Sequence, residues 1–435
     1  MTRKRIPLLA ALLVVFTLVL VSAGCGGDDE GSSEGTGTVS VFSLWGGSER
    51  DAFQKVLDGF TEETGITAKY EQGRDFLPIL RPRIAAGNPP DVAIIPRPGV
   101  VADFARDGSL KTVEEIGLDT DALTENLSQS YLDLGTVDGD LYGIVVKANS
   151  KNTIWYKPDS FRQLGVEPPT DWQGLLQVAD AIKAKGKKPF AVGAQGSTNS
   201  WTLTDWFENI YLHQAGPEKY QQLFTGDLPF TDPSVKTALG EMTKVISEEN
   251  VPGGIQGVLG TDFVTSIGQV FGTNSKAEMH GQGGFVGGIA IGQVNTKLKP
   301  ITDIDFFDFP TLDPAYKGAL MGAGDQAVAF TANDDVKALM EYLASPEAGE
   351  IWAKTGAIIS PNKAVPDTAY PNELAVKEAK QLKEAETFRF DGSDLLPGTL
   401  GQSWATTLQA IIQDPGKMDQ ELGDFQSSAE GEFEA

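Results

Sequence analysis

The stretch TVSVFSLWGGSERDAFQKVLDGFTEETGITAKYE, residues 38–71, decides the fold class. Residues 38–45 are rich in β-branched and aromatic side chains and predict a strand. Ser48 then offers an N-cap with Asp51 three residues on, and Phe53, Val56, Leu57 and Phe60 recur at helical spacing. Gly65 closes that helix, and Ile66, Ala68 and Tyr70 alternate as in a strand. A third strand, DVAII at 91–95, follows a short helix ending at Gly87. Strand, helix and strand in succession build a parallel sheet with covering helices, so the chain begins as an α/β protein. LYGIVV (141–146), TIWY (153–156), a helix from Trp172 to Ala184 and PFAVGA (189–194) continue the pattern, and helices dominate from Trp201 to about Glu249. A chain of 435 residues exceeds what one core supports, which predicts two lobes. With no repeat and no long linker between them, several short crossings should join the lobes.

The N-terminus carries an export signature. Arg3, Lys4 and Arg5 precede an apolar run from Ile6 to Val21, and Ser22, Ala23 and Gly24 suit a signal-cleaving peptidase. The only cysteine, Cys25, follows at once. Val21-Ser22-Ala23-Gly24-Cys25 resembles a bacterial lipobox, although Ser22 stands where a branched aliphatic is usual. Residues 1–24 are therefore expected to be a lipoprotein signal peptide, and residues 25–37 a flexible tether reaching about 20 Å from an acylated Cys25. An uncleaved anchor or an ordinary secretory signal are the alternatives, and each places the remaining chain outside the cytoplasm.

A formal charge of −25 repels nucleic acid and anionic lipid headgroups. Two histidines, His213 and His280, with one acylated cysteine leave no zinc cluster, and no phosphate-binding loop with its lysine is present. No cofactor and no nucleic-acid partner are expected. The tryptophans stand in suggestive company: Trp45 precedes Gly46-Gly47-Ser48-Glu49, Trp201 and Trp206 flank Asp205, and Trp404 follows Gly401-Gln402-Ser403. Most tryptophans fill core, but an indole beside polar loop residues also makes a platform for the C–H face of a sugar, whose hydroxyls pair with Asp, Asn, Gln and Arg. GQGGFVGG (281–288) and MGAGDQAVAF (321–330) are either turns or places where backbone approaches a ligand.

The run KANSKNTIWYKPDSFRQLGVEPPTDWQGL (147–175) resembles the segment that marks extracellular solute-binding proteins of bacterial carbohydrate ABC transporters. AAGNPPDVAI (85–94), GKKPFAVG (186–193), WTLTDWFENIYLH (201–213), PFTDPSV (229–235), YLASPEAGEIWAKTGAIISPNK (342–363) and FRFDGSDLLPG (388–398) agree in the same order. Several of these look most like the α-glucoside-binding branch. That branch often has a cysteine pair, absent here, and residues 198–201 read TNSW where a glycine is expected before the tryptophan.

The resemblance implies a two-lobed, periplasmic-binding-protein-like α/β fold with a hinged cleft. Residues 38–148 plus about 305–345 would form the N-terminal lobe, and 149–304 plus about 346–435 the C-terminal lobe. It places Trp45, Glu49, Arg97, Lys147, Asn149, Trp201, Asp205, Gln282, Asp325, Arg389, Asp391 and Trp404 around the ligand. It implies a monomeric receptor on the outer face of the cytoplasmic membrane. Its partners would be a carbohydrate, membrane permease subunits with a cytoplasmic ATPase, and the bilayer through Cys25. Two rivals remain on the residues alone. A glycosidase would need a carboxyl pair about 5–9 Å apart, such as Asp303 with Asp305 or Asp391 with Asp394. A polyamine receptor would suit the acidic surface.

Overall fold

The computed structural model describes residues 37–433. The signal peptide, Cys25 and the tether before Gly37 lie outside the described residues. In chain order the main strands are β1 (Thr38–Ser43), β2 (Thr67–Gln72), β3 (Val92–Ile95), β4 (Gly143–Ser150), β5 (Thr153–Tyr156), β6 (Lys188–Phe190), β7 (Ala277–Gly281), β8 (Asp305–Asp308), β9 (Ala319–Ala329) and β10 (Thr387–Phe390).

The opening stretch forms the expected unit. β1 and β2 pair in parallel, from Thr38 opposite Thr67 to Ser43 opposite Gln72. The helix Gly47–Thr64 between them buries Ala52, Phe53, Val56, Leu57 and Phe60 on one face. Burying a side chain of that size stabilises by about 1.5–3 kcal/mol, so this stripe holds the helix on the sheet. Gly65 ends the helix at φ 75°, its N–H donating to the Thr61 carbonyl, a left-handed conformation that glycine adopts without a Cβ clash. The helix start differs from expectation. Gly46 holds the cap position, the buried Ser48 hydroxyl has no hydrogen-bond partner, and Asp51 pairs with Arg50. Gly47 adopts φ 57°, a left-handed conformation open to glycine, so backbone freedom rather than capping chemistry fixes this turn.

The first sheet runs β10-β9-β3-β1-β2, with β4 against β9 as well. Parallel pairing holds for β1 with β2 and β3, and for β9 with β10, whereas β9 lies antiparallel to β3 and β4. The second sheet, β8-β5-β7-β6, is covered by the helices Trp172–Ala184, Trp201–Ala215 and Leu400–Gln413. Each sheet has its own core. Val39, Phe53, Ile144, Ala327 and Trp352 belong to one, and Ile154, Phe190, Trp206, Met321 and Trp404 to the other. β9 therefore starts in the second core at Ala319 and Met321 and ends in the first at Ala327 and Ala329. The adjacent β4, with Ile144 and Val146 in the first core, hands the chain to β5 in the second. Two hydrogen-bonded strands thus carry the chain between the cores.

Two placements depart from the expected division. β8 pairs with β5 in the second sheet, its alternating Phe306 and Phe307 filling opposite faces. The helix Pro346–Ala353 buries Ala348 and Trp352 in the first core, where Trp352 lies 5.2 Å from Trp45. Both follow from apolar side chains finding the nearer core, which a boundary drawn by sequence position overlooks.

Candidate functional site

Lys147, Asn149 and Lys151 follow one another at two-residue spacing along β4 and the residue just past its end, and all are buried. Such spacing puts side chains on one face of an extended strand. Here that face is turned toward acids from both halves.

The Lys147 ammonium contacts Glu49 Oε1 at 2.9 Å and Asp325 Oδ2 at 3.5 Å, and lies 4.8 Å from the centre of the Trp45 ring. Asp325 is its neighbour in the β4–β9 ladder, beside an irregularity between Asp325 and Gln326 that shifts the register. Burial alone would lower the Lys147 pKa, but the charges of Glu49 and Asp325 outweigh it, and the net shift is upward. Burial raises the Asp325 pKa, with Lys147 partly opposing.

Lys151 stands in a second cluster. Its ammonium is 3.0 Å from Asp205 Oδ1, in contact with Asp391 Oδ2, 3.9 Å from Asp394 Oδ2 and 5.5 Å from the centre of the Trp201 ring. Trp201 and Asp205 occupy one face of the helix Trp201–Ala215, a turn apart. Asp391 caps the short helix Gly392–Leu395, accepting from Asp394 N–H at 3.2 Å and Ser393 Oγ at 2.9 Å. Arg97, at the start of the helix Pro98–Arg106, meets Asp394 at 3.4 Å. Glu208 supports the group from beneath, accepting from Gly392 N–H at 2.6 Å, Ser393 N–H at 3.1 Å and the Tyr220 hydroxyl at 2.7 Å. Burial would lower the Lys151 pKa, yet Asp205, Asp391 and Asp394 drive it well up. Burial would raise that of Asp391, but Lys151, Ser393 and the Asp394 N–H bring it below the ordinary value. Burial, together with Asp391, pushes Asp394 up to about 7, and burial pushes Asp205 and Glu208 well up.

Among the buried acceptors without a donor are Asn149 Oδ1, Asp205 Oδ2, Gln282 Oε1 and Asn209 Oδ1, the last on a side chain whose nitrogen donates to the Lys151 and Asp205 carbonyls. The Gln282 amide nitrogen is already committed to the Thr202 carbonyl at 2.9 Å, so its oxygen is the free end. Buried polar atoms are nearly always paired, so these acceptors are places where a water or a ligand donor would complete the hydrogen bonding. Trp201 is half-buried against Phe263 and Phe285. A cavity of about 240 Å³, lined by Ser48, Glu49, Phe285, Gly288 and Thr355 among others, separates the first helix from the glycine-rich segment.

Seven of the residues expected around the ligand, Glu49, Arg97, Lys147, Trp201, Asp205, Asp325 and Asp391, thus lie in these clusters, and Asn149 and Gln282 each carry a bare buried acceptor. Three do not present themselves in that way. Trp404 is fully buried among Phe207, Phe230 and Phe425, because Leu400, Trp404, Leu408 and Ile411 form the buried stripe of its helix. Trp45 is wedged edge-on between Phe53 and Trp352, offering only its contact with Lys147. The Arg389 guanidinium turns to the Pro217 and Phe388 carbonyls. The carboxyl pair Asp303 and Asp305 serves the Lys299 N–H and the Lys377 ammonium respectively, as loop and ion-pair groups. Lys151 and Glu208 were missed. For Lys151 the signal was present, since the two-residue period of Lys147 and Asn149 runs on to it. Glu208, one turn beyond Asp205, has no such mark.

Residues 46–350 match the family model described as bacterial extracellular solute-binding protein. The chain is 35% identical over 393 residues to the osmoprotective compounds-binding protein GgtB of Synechocystis sp., covering 89% of this chain and 91% of that one. It is 32% identical over 381 residues to the alpha-glucosides-binding periplasmic protein AglE of Rhizobium meliloti, covering 84% and 81%. Among solved structures, a chitin oligosaccharide binding protein superposes with TM-score 0.78 at 17% identity over 92% of this chain and 99% of that chain. The maltose-bound MalE3 of T. maritima does so with TM-score 0.72 at 17% identity over 90% and 99%. At that identity these last two bear on the fold, which is the two-lobed one.

Proposed function

We propose, from the premise that this chain belongs to the bacterial extracellular solute-binding proteins, that it captures an α-glucoside or short oligosaccharide between its lobes for an ABC importer. The chain is a receptor and not an enzyme, as its family and relatives are. The observation that carries the carbohydrate reading is the set of bare buried acceptors, Asn149 Oδ1, Asp205 Oδ2 and Gln282 Oε1, beside the half-buried indole of Trp201. Sugar hydroxyls would donate to the former while a C–H face rests on the latter.

The lobes meet through β4 and β9. The first would comprise β1 to β4, the end of β9 and the helices from Asp334 to Ala353; the second would comprise β5 to β8 and the C-terminal helices. A ligand held by both shifts the open–closed balance only by as much as it favours the closed form. Trp201, Asp205, Asn149, Gln282 and Asp391 would hold the sugar, with Glu49, Lys147, Asp325 and Arg97 flanking them. Acylation of Cys25 would keep this monomeric receptor beside its permease and raise its local concentration.

A thermal-shift screen with maltose, trehalose and longer α-glucosides tests the reading. A ligand at 100 times its dissociation constant stabilises the folded state by about 2.7 kcal/mol. No shift with any saccharide, or turnover of an aryl glucoside that depends on Asp391 or Asp394, overturns it.

A further inference from the structure

We propose that Lys151 fills, from within the protein, a cage built for an ammonium ion, and so acts as the specificity-determining residue that reserves the cleft for uncharged polyols. This rests on the carbohydrate reading and narrows its substrate class.

The cage has the chemistry that recognises an organic cation: an indole face at 5.5 Å, Asp205 Oδ1 at 3.0 Å, the contacting Asp391 carboxylate, and Asp394 at 3.9 Å. Four carboxyl groups line it against two cations, and Asp391 is the one held below its ordinary pKa. Asp205, Glu208, Asp391 and Asp394 face only Lys151 and Arg97. Asp205 is 2% exposed, and its second oxygen has no partner. With Lys151 seated, that oxygen is left for a neutral donor such as a sugar hydroxyl. A ligand ammonium entering beside Lys151 would meet like charge at short range in a medium that screens poorly. It would also compete with a cation tethered in place by its own side chain. Take Lys151 away and the same walls leave the Asp391 carboxylate without its cation, beside an open seat.

Thermal midpoints of the native protein and of Lys151→Ala are read in methylammonium chloride, in spermidine and in sodium chloride of matched ionic strength. The native midpoint should respond to the amines no more than to sodium, whereas that of Lys151→Ala should rise by about 2–4 °C in methylammonium. If Lys151→Ala does not fold, Lys151→Gln, whose amide still donates a hydrogen bond, is read in the same assay. Specific stabilisation of the native protein by either amine overturns the proposal, as does a Lys151 variant that treats methylammonium as sodium. If no saccharide binds the native protein and the variant still gains the amine response, the carbohydrate reading falls while the cage stands.

Discussion

Lys147 and Lys151 share one strand direction and nearly the same company, yet they sit in different kinds of place. Lys147 meets Glu49, Asp325 and the Trp45 ring; Lys151 meets Asp205, Asp391 and the Trp201 ring. Of the partners of Lys147, Trp45 is 2% exposed within the first core, Glu49 stands on the first helix, and Asp325 lies on β9 between the two cores. The Lys151 group draws Asp205 and Trp201 from the second half and, through Asp394, Arg97 from the first, and its indole keeps an accessible part. A lysine, two carboxylates and an indole are a structural tie when the indole is sealed in a core. We propose that they serve as a binding site when two bodies supply them and some capacity is left unfilled.

The largest effect should separate the two lysines. Lys147→Ala strands the buried Asp325 carboxylate and the half-buried Glu49 without a counter-ion and should destabilise by about 3 kcal/mol in urea unfolding. A variant that unfolds as the native protein does but binds no sugar would move Lys147 into the ligand set and erase the contrast. Next comes Glu208→Ala, which leaves the buried Ser393 amide without its acceptor and the Gly392 amide and Tyr220 hydroxyl with only each other and the Phe390 carbonyl. It should cost about 3 kcal/mol of stability and loosen Asp391, so affinity by calorimetry should fall alongside. A stable Glu208→Ala with native affinity would show that the Lys151 group needs no support from beneath.

What the sequence discloses and what it hides follow the same divide. The unit over 38–71 was legible because local spacing decides it, and Lys147, Asn149, Asp205 and Asp391 because they stand in motifs. Trp404 was misjudged because its glycine and serine neighbours suggested a loop, while the four-residue spacing of Leu400, Trp404 and Leu408 spoke for a buried helix face. β8 and the helix Pro346–Ala353 were put in the wrong halves because an apolar segment does not say which of two cores it enters. Glu208 was invisible because its task, receiving amides from residues more than 180 positions away, is set wholly by tertiary contact.

Trp201→Ala should weaken carbohydrate binding by about 1–3 kcal/mol with little change in thermal midpoint, since its ring is half-buried. Equal loss of stability and affinity would make it another Trp45.

The last contrast is in pH dependence, and it belongs to the second cluster. Asp394 faces Asp391, Lys151, Arg97 and, more distantly, Asp325, and burial with Asp391 raises its pKa from 3.8 to about 7. The folded protein then keeps a proton that the unfolded chain releases from pH 4 upward, so this group's stabilisation is complete below pH 4 and is lost as pH rises toward about 7. Asparagine mimics the protonated form at every pH. Asp394→Asn should therefore melt close to the native protein at pH 4 and above it at pH 8, the gap opening between those values. A gap that stays constant would mean that Arg97 and Lys151 hold Asp394 ionised throughout, which would leave the Lys151 group as fully balanced as that of Lys147.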